Sequence, residues 1–296
     1  MTTWHKLHKH SSEHMPEVDD NSVHLGVTSP PYNANKPYGR KNRLNPDGHE
    51  KDHDHNSDAI PWENYIPKHR RVIAEMFRVL VPGGRFCVNV GTVGRYKQEG
   101  DTPYRAIPLD VLWWFLCVQA GFIFEGKIIW SKINGEKSGS HGSWRTYTRP
   151  IIQDMHEYIL IFTKPFPDGS ITMAKDPDHP RFTMTKREFL DLRKSVWQIR
   201  AKPDTRHPAI FPQELPENLI QFLTGPGHTI IDPYAGSGTT ARAAKALCRN
   251  SISYEIVGEY WPLIEDVTLQ TSLENFVEAW FLQQPTPKGG TAAGSD

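Results

Sequence analysis

The sequence around residue 235 allows few folds, because it places a strand, a glycine-rich turn and a helix in immediate succession. This segment reads HTIIDPYAGSGTTARAAKAL and begins at His228. A second apolar strand, SISY, follows and leads to an acidic residue, Glu255, before another helical pattern. This order of elements is typical of a parallel, doubly wound sheet. The sequence therefore predicts a Rossmann-like α/β fold.

The glycine turn, residues 232–238, indicates which kind of ligand such a sheet binds. Gly236 and Gly238 allow the backbone to approach a ligand closely, at the amino end of the following helix. The turn lacks the lysine of a GxxxxGK[ST] phosphate loop, and GSG is too short for a GxGxxG dinucleotide site. Glu255 comes at the end of the next strand, where a carboxylate can accept hydrogen bonds from both hydroxyls of a ribose. Together these features favour an adenosine-like ligand.

A second turn, the SPPY turn of residues 29–32, ends the apolar strand VHLGVT. Consecutive prolines cannot continue a strand, and they hold the turn rigid. The Ser29 hydroxyl and the Pro30 carbonyl can accept the two hydrogens of an exocyclic amine, whose lone pair is otherwise delocalised into the ring. Tyr32 offers a flat face on which an extruded base can stack. Ser29 is too weak a base to take a proton unaided, so we predict that it positions the amine.

Hydrophobic periodicity predicts further elements between these two turns. Apolar residues at helical spacing favour a helix over 62–80, followed by the strand RFCVNVG, and a second helix over 107–119. FIFEGKIIW and HEYILIFTK are typical of strands. These patterns place the main domain at residues 23–283. An amino-terminal extension, residues 1–22, precedes it, and a low-complexity tail, residues 284–296, is expected to be disordered.

Other sequence features argue against several classes of protein. The three cysteines form no CxxC pair, which argues against a disulfide framework and a structural zinc site. The stretch 47–58 is rich in His and Asp but is typical of a polar loop, so we predict no metal. The sequence shows neither a signal peptide nor an apolar stretch long enough to span a bilayer, so we expect a cytoplasmic protein.

With both turns identified, the chain resembles a known family, the β-type DNA amino-methyltransferases of bacteria, archaea and phages. TSPPY at 28–32 is similar to the catalytic motif of this family, and DPYAGSGTT at 232–240 is similar to its cofactor motif. Further landmarks extend the resemblance from about residue 23 to residue 271; they are FRVLVPGG, KIIWSK, HEYILIFTK, SVWQI and HPAIFPQELPENLI. The resemblance implies a Rossmann-like methyltransferase sheet with a small target-recognition insertion, and S-adenosylmethionine as the cofactor.

The resemblance also assigns roles to individual residues. It implies that Ser29, Pro30, Pro31 and Tyr32 act at a flipped target base, and that Glu255 binds the ribose of the cofactor. The residues implied around the rest of the cofactor are Thr28, His207, Ala209, Phe211, Pro212, Asp232, Tyr234, Gly236 and Gly238. Many relatives have Lys before the proline, where this chain has Phe211, so we expect no polar contact at that position.

Positive charge is concentrated locally, although the whole chain is balanced at 34 Lys and Arg residues against 34 Asp and Glu residues. A Gly/Ser-rich stretch, 132–149, and a second stretch, 181–206, are both rich in Lys and Arg. We predict that the segment 132–155 is an insertion that recognises the DNA sequence, and that the second stretch contacts phosphates. The candidate DNA-binding residues of the insertion are Lys132, Lys137, Trp144, Arg145, Tyr147 and Arg149.

The first residue of the SPPY turn bears on the target base. Members that methylate adenine usually have Asp there, whereas Ser is more typical of cytosine enzymes, so we expect methylation of cytosine N4, with adenine N6 as the alternative. Methylation of the cytosine ring carbon requires a Pro-Cys nucleophile, and no cysteine of this chain follows a proline. Methylation of RNA or of protein glutamine, and a DNA-binding regulator without activity, are further alternatives.

The implied partners are double-stranded DNA and a cognate restriction endonuclease, with no physical contact implied for the endonuclease. The chain is expected to be a monomer or a homodimer.

Overall fold

The computed structural model of the chain describes residues 2–34, 60–94, 106–133, 152, 154–171, 184–200 and 211–267. The strands in these ranges are β1 (His5–His8), β2 (Val23–Thr28), β3 (Leu80–Val90), β4 (Thr92–Gly94), β5 (Ala106–Pro108), β6 (Ile123–Ile133), β7 (His156–Thr163), β8 (Val196–Arg200), β9 (Thr229–Asp232) and β10 (Asn250–Tyr254). The helices are α1 (Trp62–Val79), α2 (Leu109–Gln119), α3 (Lys186–Leu192), α4 (Glu214–Leu223) and α5 (Thr239–Ala246). A 3-10 turn, Gly258–Tyr260, leads into a helical stretch, 261–267. Among these helices, none is both long and apolar enough to cross a membrane.

Eight of the strands form one mixed sheet, in the order β1-β10-β9-β2-β3-β7-β6-β8. The first five strands in this order are mutually parallel. β7 runs antiparallel to both of its neighbours, and β8 is parallel to β6. β4 and β5 form a separate antiparallel pair. The predicted α/β sheet is therefore confirmed, with one reversed strand that the sequence pattern did not predict.

β1 lies within the predicted amino-terminal extension, residues 1–22. This strand pairs in parallel with β10, at the edge of the sheet. A hydrogen bond of 2.8 Å joins His5 Nδ1 to Ser251 Oγ. Further along, Ser12 Oγ donates to the carbonyl of Pro233, which belongs to the glycine turn. The sheet therefore includes residues before position 23, and the amino-terminal segment contacts the predicted ligand site.

β2 contacts the hydrophobic cores on both faces of the sheet, and its register with β3 shifts between Val23 and Leu25. Val23 belongs to the core that α1 and α2 cover, whereas Leu25 and Val27 belong to the core that α4 and α5 cover. The predicted helix over 62–80 is confirmed as α1, which buries one face against the sheet. The buried residues of that face are Tyr65, His69, Val72, Ile73, Met76 and Val79.

The two predicted sites meet at the centre of the sheet. β2 and β9 are neighbours there, and the chain continues from β2 to β3 on one side and from β9 to β10 on the other. In open α/β sheets, ligands bind beyond the carboxyl ends of the strands at such a reversal of strand order. The carboxyl end of β2 leads into the SPPY turn, and that of β9 leads into the glycine turn. The topology thus places the SPPY turn beside the glycine turn.

Candidate active site

Two positions of the glycine turn require glycine. Gly236 and Gly238 have φ angles of 53° and 79°, in the left-handed region that residues with a Cβ rarely adopt. A Cβ at Gly238 would also lie only 3.0 Å from Cγ1 of Ile264. Because Gly238 is the N-cap of α5, the turn leads the chain from β9 directly into the amino end of that helix. Backbone amides are therefore concentrated at this edge of the sheet.

Asp232 joins the two turns. Its side chain is buried, and Oδ1 accepts hydrogen bonds from Thr28 Oγ1 at 2.8 Å and from the Tyr234 amide at 3.0 Å. Oδ2 accepts a hydrogen bond from Thr240 Oγ1 at 2.6 Å. Burial raises the pKa of Asp232 to about 6, although these three hydrogen bonds favour the ionised form. The carboxyl group thus connects the end of β2, the glycine turn and the first turn of α5.

Glu255 borders the glycine turn from the end of β10. Its Oε2 accepts a hydrogen bond of 2.7 Å from the Gly236 amide, and its Oε1 accepts one of 2.7 Å from the Val257 amide. The residue is only 8% exposed, and this burial raises the pKa of Glu255 to about 7. Each carboxylate oxygen has a second lone pair, so both oxygens can still accept a hydrogen bond from a ligand.

α1 supports both turns from the same face of the sheet. The Tyr65 hydroxyl donates a hydrogen bond of 2.8 Å to the Pro31 carbonyl in the SPPY turn. One helical turn later, His69 Nδ1 and the Tyr234 hydroxyl share a hydrogen bond of 2.6 Å beside the glycine turn. Complete burial lowers the pKa of His69 to about 3, so its ring is neutral at physiological pH. α1 therefore fixes the position of one turn relative to the other.

The hydroxyl of Tyr32 is held by polar groups from two neighbouring strands. It donates to Glu157 Oε2 at 2.9 Å and lies 3.2 Å from the Asn89 carbonyl. The Asn89 side chain, which is buried, donates from Nδ2 to the Tyr32 hydroxyl at 3.2 Å and to Glu157 Oε2 at 2.6 Å. Ser29 Oγ lies 3.4 Å from the Tyr32 hydroxyl. The SPPY turn thus ends in a connected polar network.

Lys132 completes this network. Its Nζ donates to Glu157 Oε1 at 2.5 Å, and it lies 5.1 Å from the centre of the Trp130 ring. Both charged side chains are largely shielded, with 25% of Lys132 and 15% of Glu157 exposed. The sequence predicts that Lys132 binds DNA. That role stays a prediction, and the structure adds an ion pair next to the SPPY turn.

Four residues of this site are not predicted from the sequence: Asn89, Glu157, Tyr65 and His69. Glu157 follows the first residue of the apolar strand HEYILIFT, and Asn89 interrupts the apolar end of β3. A polar residue in a buried strand is a usable signal, since buried polar groups need partners. Their meeting depends on the antiparallel pairing of β7 with β3, which periodicity does not encode.

Several predicted site residues lie outside the described part of the chain, so their roles stay predictions. Phe211 and Pro212 are described and precede α4. The Pro212 carbonyl accepts a hydrogen bond of 3.0 Å from the Leu215 amide, and Phe211 packs against the core under α4 and α5. The residues outside the described ranges are His207, Ala209, Lys137, Trp144, Arg145, Tyr147 and Arg149, together with the loop 47–58.

One group of possible metal ligands occurs among the described residues, at some distance along the sheet from the SPPY turn. The side chains of His8, His10 and Glu17 offer ligand atoms within 4.8 Å of one another. His10 Nε2 lies 2.8 Å from Glu17 Oε1, and the His8 ring stacks on Tyr254 with centroids 4.8 Å apart. These contacts attach the segment after β1 to the end of β10, so packing accounts for the arrangement.

Comparison with known proteins identifies the family. Residues 23–266 match the model of the N6/N4 methyltransferase family, whose description is DNA methylase. The chain belongs to this family. Over 282 residues it is 32% identical to the type II methyltransferase M.MjaI of Methanocaldococcus jannaschii, with 90% of this chain and 91% of that protein covered. It is 29% identical to the type II methyltransferase M.MthZI of Methanothermobacter thermautotrophicus, with 90% and 76% covered.

Solved structures agree with this assignment. A protein of Thermus thermophilus assigned as a DNA modification methylase, in complex with S-adenosyl-L-methionine, matches with a TM-score of 0.64 and 28% identity, covering 90% of this chain and 94% of that one. The PvuII DNA methyltransferase, a cytosine-N4-specific enzyme, matches with a TM-score of 0.61 at 20% identity, covering 91% and 93%. The latter likeness shows the fold alone. The predicted DNA amino-methyltransferase family and its Rossmann-like fold are confirmed.

S-adenosylmethionine is the cofactor of this DNA methyltransferase, and the residues of the glycine turn fit it. The turn places backbone amides at the amino end of α5, where Gly238 is the N-cap, and such amides are suited to a polar ligand. The buried carboxyl group of Glu255 stands beside the turn, and two backbone amides fix its orientation. A carboxylate in this position suits the two hydroxyls of the cofactor ribose.

We expect the affinity for S-adenosylmethionine to increase as the pH rises from 6 to 8. The raised pKa of Glu255, about 7, means that the group is largely protonated at pH 6 and largely ionised at pH 8. An ionised carboxylate accepts hydrogen bonds from hydroxyls more strongly. Isothermal titration calorimetry should show a dissociation constant about three- to tenfold lower at pH 8.

The matched variant for this experiment is Glu255→Gln, which keeps the shape of the side chain without a titrating group. Its affinity at pH 8 should be about tenfold lower than that of the natural protein, and nearly constant over this pH range. Asp232 also titrates in this region, at about pH 6, so Asp232→Asn serves as a second control. An unchanged pH dependence in Glu255→Gln would assign the titration to another group.

Proposed function

We propose that this protein transfers the methyl group of S-adenosylmethionine to the exocyclic N4 amine of cytosine in double-stranded DNA, after the base has flipped out of the duplex. The observation that carries the proposal is the position of Ser29. Its hydroxyl lies at the carboxyl end of β2, next to the Tyr32 hydroxyl. The Thr28 hydroxyl, one residue earlier, is bonded to Asp232 at the start of the glycine turn. An amine bound at Ser29 is therefore close to a cofactor bound at the glycine turn.

The SPPY turn is suited to activating an amine. The Ser29 hydroxyl and the Pro30 carbonyl accept its two hydrogens, which favours a pyramidal nitrogen with a localised lone pair. Pro30 is buried, and the carbonyl of Pro31 is fixed by the Tyr65 hydroxyl. These contacts hold the SPPY turn in place before the substrate binds. Little reorganisation of the Ser29 hydroxyl and the Pro30 carbonyl therefore accompanies the reaction. The cofactor supplies an electrophilic methyl group on a sulfonium, and the protein orients the nucleophile toward it.

Tyr32 is suited to binding the flipped base. Four contacts from Glu157, Asn89 and Ser29 fix its hydroxyl, so the orientation of its ring is also fixed. A rigid aromatic face at this position can stack on a base that has left the duplex. Stacking on the Tyr32 ring fixes the plane of the base, and the two acceptors, Ser29 and Pro30, fix its rotation within that plane. The position of the amine nitrogen is then determined.

The placement of the segment 132–155 supports its proposed role in recognising DNA. β7 is antiparallel to β3, so the start of β7 lies at the carboxyl end of β3. β6 is antiparallel to β7 and ends at the same edge, with Ser131 opposite His156. The segment therefore leaves and re-enters the sheet at the edge that carries the SPPY turn. Basic side chains in this segment, including Arg145 and Arg149, are suited to guanine edges and phosphates.

Two relatives are named as type II methyltransferases. Their names support a role in modifying the sites that a cognate restriction endonuclease cleaves. Serine at position 29 supports cytosine as the target base, because adenine-specific members of the resembled family usually have aspartate there.

The target can be identified directly by incubating the protein with unmethylated bacterial DNA and S-adenosylmethionine labelled in its methyl group. The DNA is then digested to nucleosides, and the labelled nucleoside is identified by mass spectrometry.

Labelled N4-methylcytosine is the expected product. Labelled N6-methyladenine would keep the enzyme class and refute the assignment of the base. If the protein binds the cofactor but labels no DNA, the same assay with RNA and with protein substrates tests the remaining enzymatic alternatives. Absence of label in all three would support a DNA-binding regulator without activity.

A further inference from the structure

Methylation of an amine releases a proton, and the SPPY turn alone has no group suited to receive it. The nitrogen begins with two hydrogens and ends with one, so one proton must leave the site in each turnover. A serine hydroxyl is too weak a base to retain this proton at neutral pH. The network around Tyr32 contains a carboxylate, that of Glu157. The following inference rests on the proposed amine methylation and concerns this carboxylate.

The hydrogen bonds of the network run in one direction. The Ser29 hydroxyl is the donor toward the Tyr32 hydroxyl at 3.4 Å, and the Tyr32 hydroxyl is the donor toward Glu157 Oε2 at 2.9 Å. The first distance is longer than an ordinary hydrogen bond between hydroxyls, as is common for catalytic hydrogen bonds before the substrate is bound. An amine that donates to Ser29 Oγ would begin a chain that ends at Glu157.

The position of Glu157 is fixed from both sides. Asn89 Nδ2 donates to Oε2 at 2.6 Å, and Lys132 Nζ donates to Oε1 at 2.5 Å. The ion pair with Lys132 leaves Oε2 facing Tyr32, while the Asn89 amide also contacts the Tyr32 hydroxyl at 3.2 Å. These groups come from three strands, β3, β6 and β7, that are adjacent in the sheet. The Oε2 atom of the carboxylate is therefore oriented toward the SPPY turn.

We propose that Glu157 receives the proton of the methylated amine through Ser29 and Tyr32. The amine nitrogen forms a bond to the methyl carbon, and the bond between that carbon and sulfur breaks with its electron pair on sulfur. The nitrogen loses one proton to Ser29 Oγ as the proton of Ser29 moves to the Tyr32 oxygen. The proton of Tyr32 moves to Glu157 Oε2, and Glu157 later releases it to solvent. Glu157 acts through Tyr32, and Asn89 and Lys132 are positioning residues for it.

Two substitutions at Glu157 separate this role from a purely structural one. Glu157→Gln keeps the size and hydrogen-bonding shape of the side chain but cannot take up the proton, whereas Glu157→Asp is shorter and keeps a carboxylate. The single-turnover rate of methyl transfer to DNA should fall about 10- to 100-fold in Glu157→Gln. Glu157→Asp should be at least about fivefold faster than Glu157→Gln. A side chain needed only for packing or for holding Tyr32 would give the opposite order.

A double-mutant cycle tests whether Tyr32 and Glu157 act in one chain. Tyr32→Phe keeps the ring that stacks on the base and removes only the hydroxyl. If both residues serve one relay, the double variant should be no more than about threefold slower than the slower single variant. Losses that multiply would refute the relay. Glu125→Gln is the matched control, because Glu125, on β6, also pairs with a basic side chain, that of Arg85 on β3 at 3.4 Å; its rate should not change.

The same measurements distinguish the relay from the proposed function. The natural protein is assayed first, and labelled DNA from it supports the proposed amine methylation whatever the variants do. Cofactor dissociation constants and melting temperatures of the variants should stay within about threefold and 3 °C of those of the natural protein. A rate of Glu157→Gln within twofold of the natural rate would refute the relay alone. If Glu157→Gln fails to fold, comparison of Tyr32→Phe with Glu157→Asp still tests the chain, since the relay requires Tyr32→Phe to be the slower of the two.

Discussion

Replacing Ser29 by alanine is expected to lower the single-turnover rate of methyl transfer by about 100- to 1000-fold. The change removes one of the two acceptors that orient the amine and the first member of the hydrogen-bonded chain to Glu157. The Pro30 carbonyl and the Tyr32 ring stay in place, so DNA and cofactor should still bind. We therefore expect the loss in the rate constant, with dissociation constants changed less than about threefold. Rapid-quench measurement with labelled cofactor and excess enzyme isolates this step.

The matched control for this experiment is Ser22→Ala. Ser22 directly precedes the opposite end of the same strand, β2, and its hydroxyl donates to the Asp19 carbonyl at the surface. Its rate should equal that of the natural protein. A loss of less than about tenfold in Ser29→Ala would contradict an essential acceptor role for the hydroxyl. It would leave the Pro30 carbonyl as the main group that orients the amine.

The two helices between the turns were predicted well, because local hydrophobic periodicity encodes them. The predicted helix over 62–80 corresponds to α1, and the helix predicted to end at residue 119 corresponds to α2, which ends at Gln119. Gly121 follows with a φ angle of 101°, the conformation that commonly stops a helix. The two turns were also predicted, because proline and glycine restrict the backbone through their own covalent structure.

Pairing between distant strands was not predictable in the same way. β1 has the sequence HKLH, which is short and mostly polar, so its pattern alone does not indicate a strand. Its structure depends on β10, through parallel backbone pairing and the bond between His5 and Ser251. Likewise, the direction of β7 follows from its neighbours in the sheet, because an apolar strand reads the same whether it runs parallel or antiparallel.

The polar network of the site depends on this pairing. Asn89 and Glu157 are 68 residues apart in the chain and 2.6 Å apart in space, because β3 and β7 are antiparallel neighbours. Lys132, on β6, was selected from the sequence for its charge and for its place at the start of a basic stretch. Its ion pair with Glu157 was not foreseen, since the sequence gives no indication that these two side chains meet. Local chemistry thus predicted the two turns, and long-range pairing supplied the groups that surround them.

Replacing Asp232 by alanine is expected both to destabilise the protein and to weaken cofactor binding. The sequence predicts that Asp232 binds the cofactor, whereas both of its oxygens accept hydrogen bonds from protein groups. Asp232→Ala would leave the Tyr234 amide and two buried hydroxyls without their acceptor. The cost of leaving such groups unpaired is about 2 to 4 kcal/mol in the free energy of unfolding. Urea denaturation measures this loss, and calorimetry should show at least tenfold weaker binding of cofactor, because the glycine turn is no longer anchored.

Asp232→Asn separates the bridging role of this residue from its charge. The amide oxygen can accept from Thr28 and Tyr234, while the amide nitrogen can donate to Thr240, whose hydroxyl can rotate to accept. We therefore expect its stability at pH 7 to differ from that of the natural protein by less than about 1 kcal/mol. The pKa of the carboxyl group rises to about 6 on folding, so the natural protein loses stability as the pH rises from about 4 to about 6. Asp232→Asn lacks this titration, and its stability relative to the natural protein should increase over the same range.

The affinity of Asp232→Asn for cofactor decides between the two roles. If the residue acts as a bridge, the amide preserves the arrangement of β2, the glycine turn and α5, and binding should stay within about threefold of the natural value. If the charge itself contacts the cofactor, binding should weaken about tenfold or more while stability is preserved. The hydrogen bonds of the structure favour the first result, because a carboxyl group that is buried and bonded to three protein groups acts on the ligand by positioning the turn that holds it.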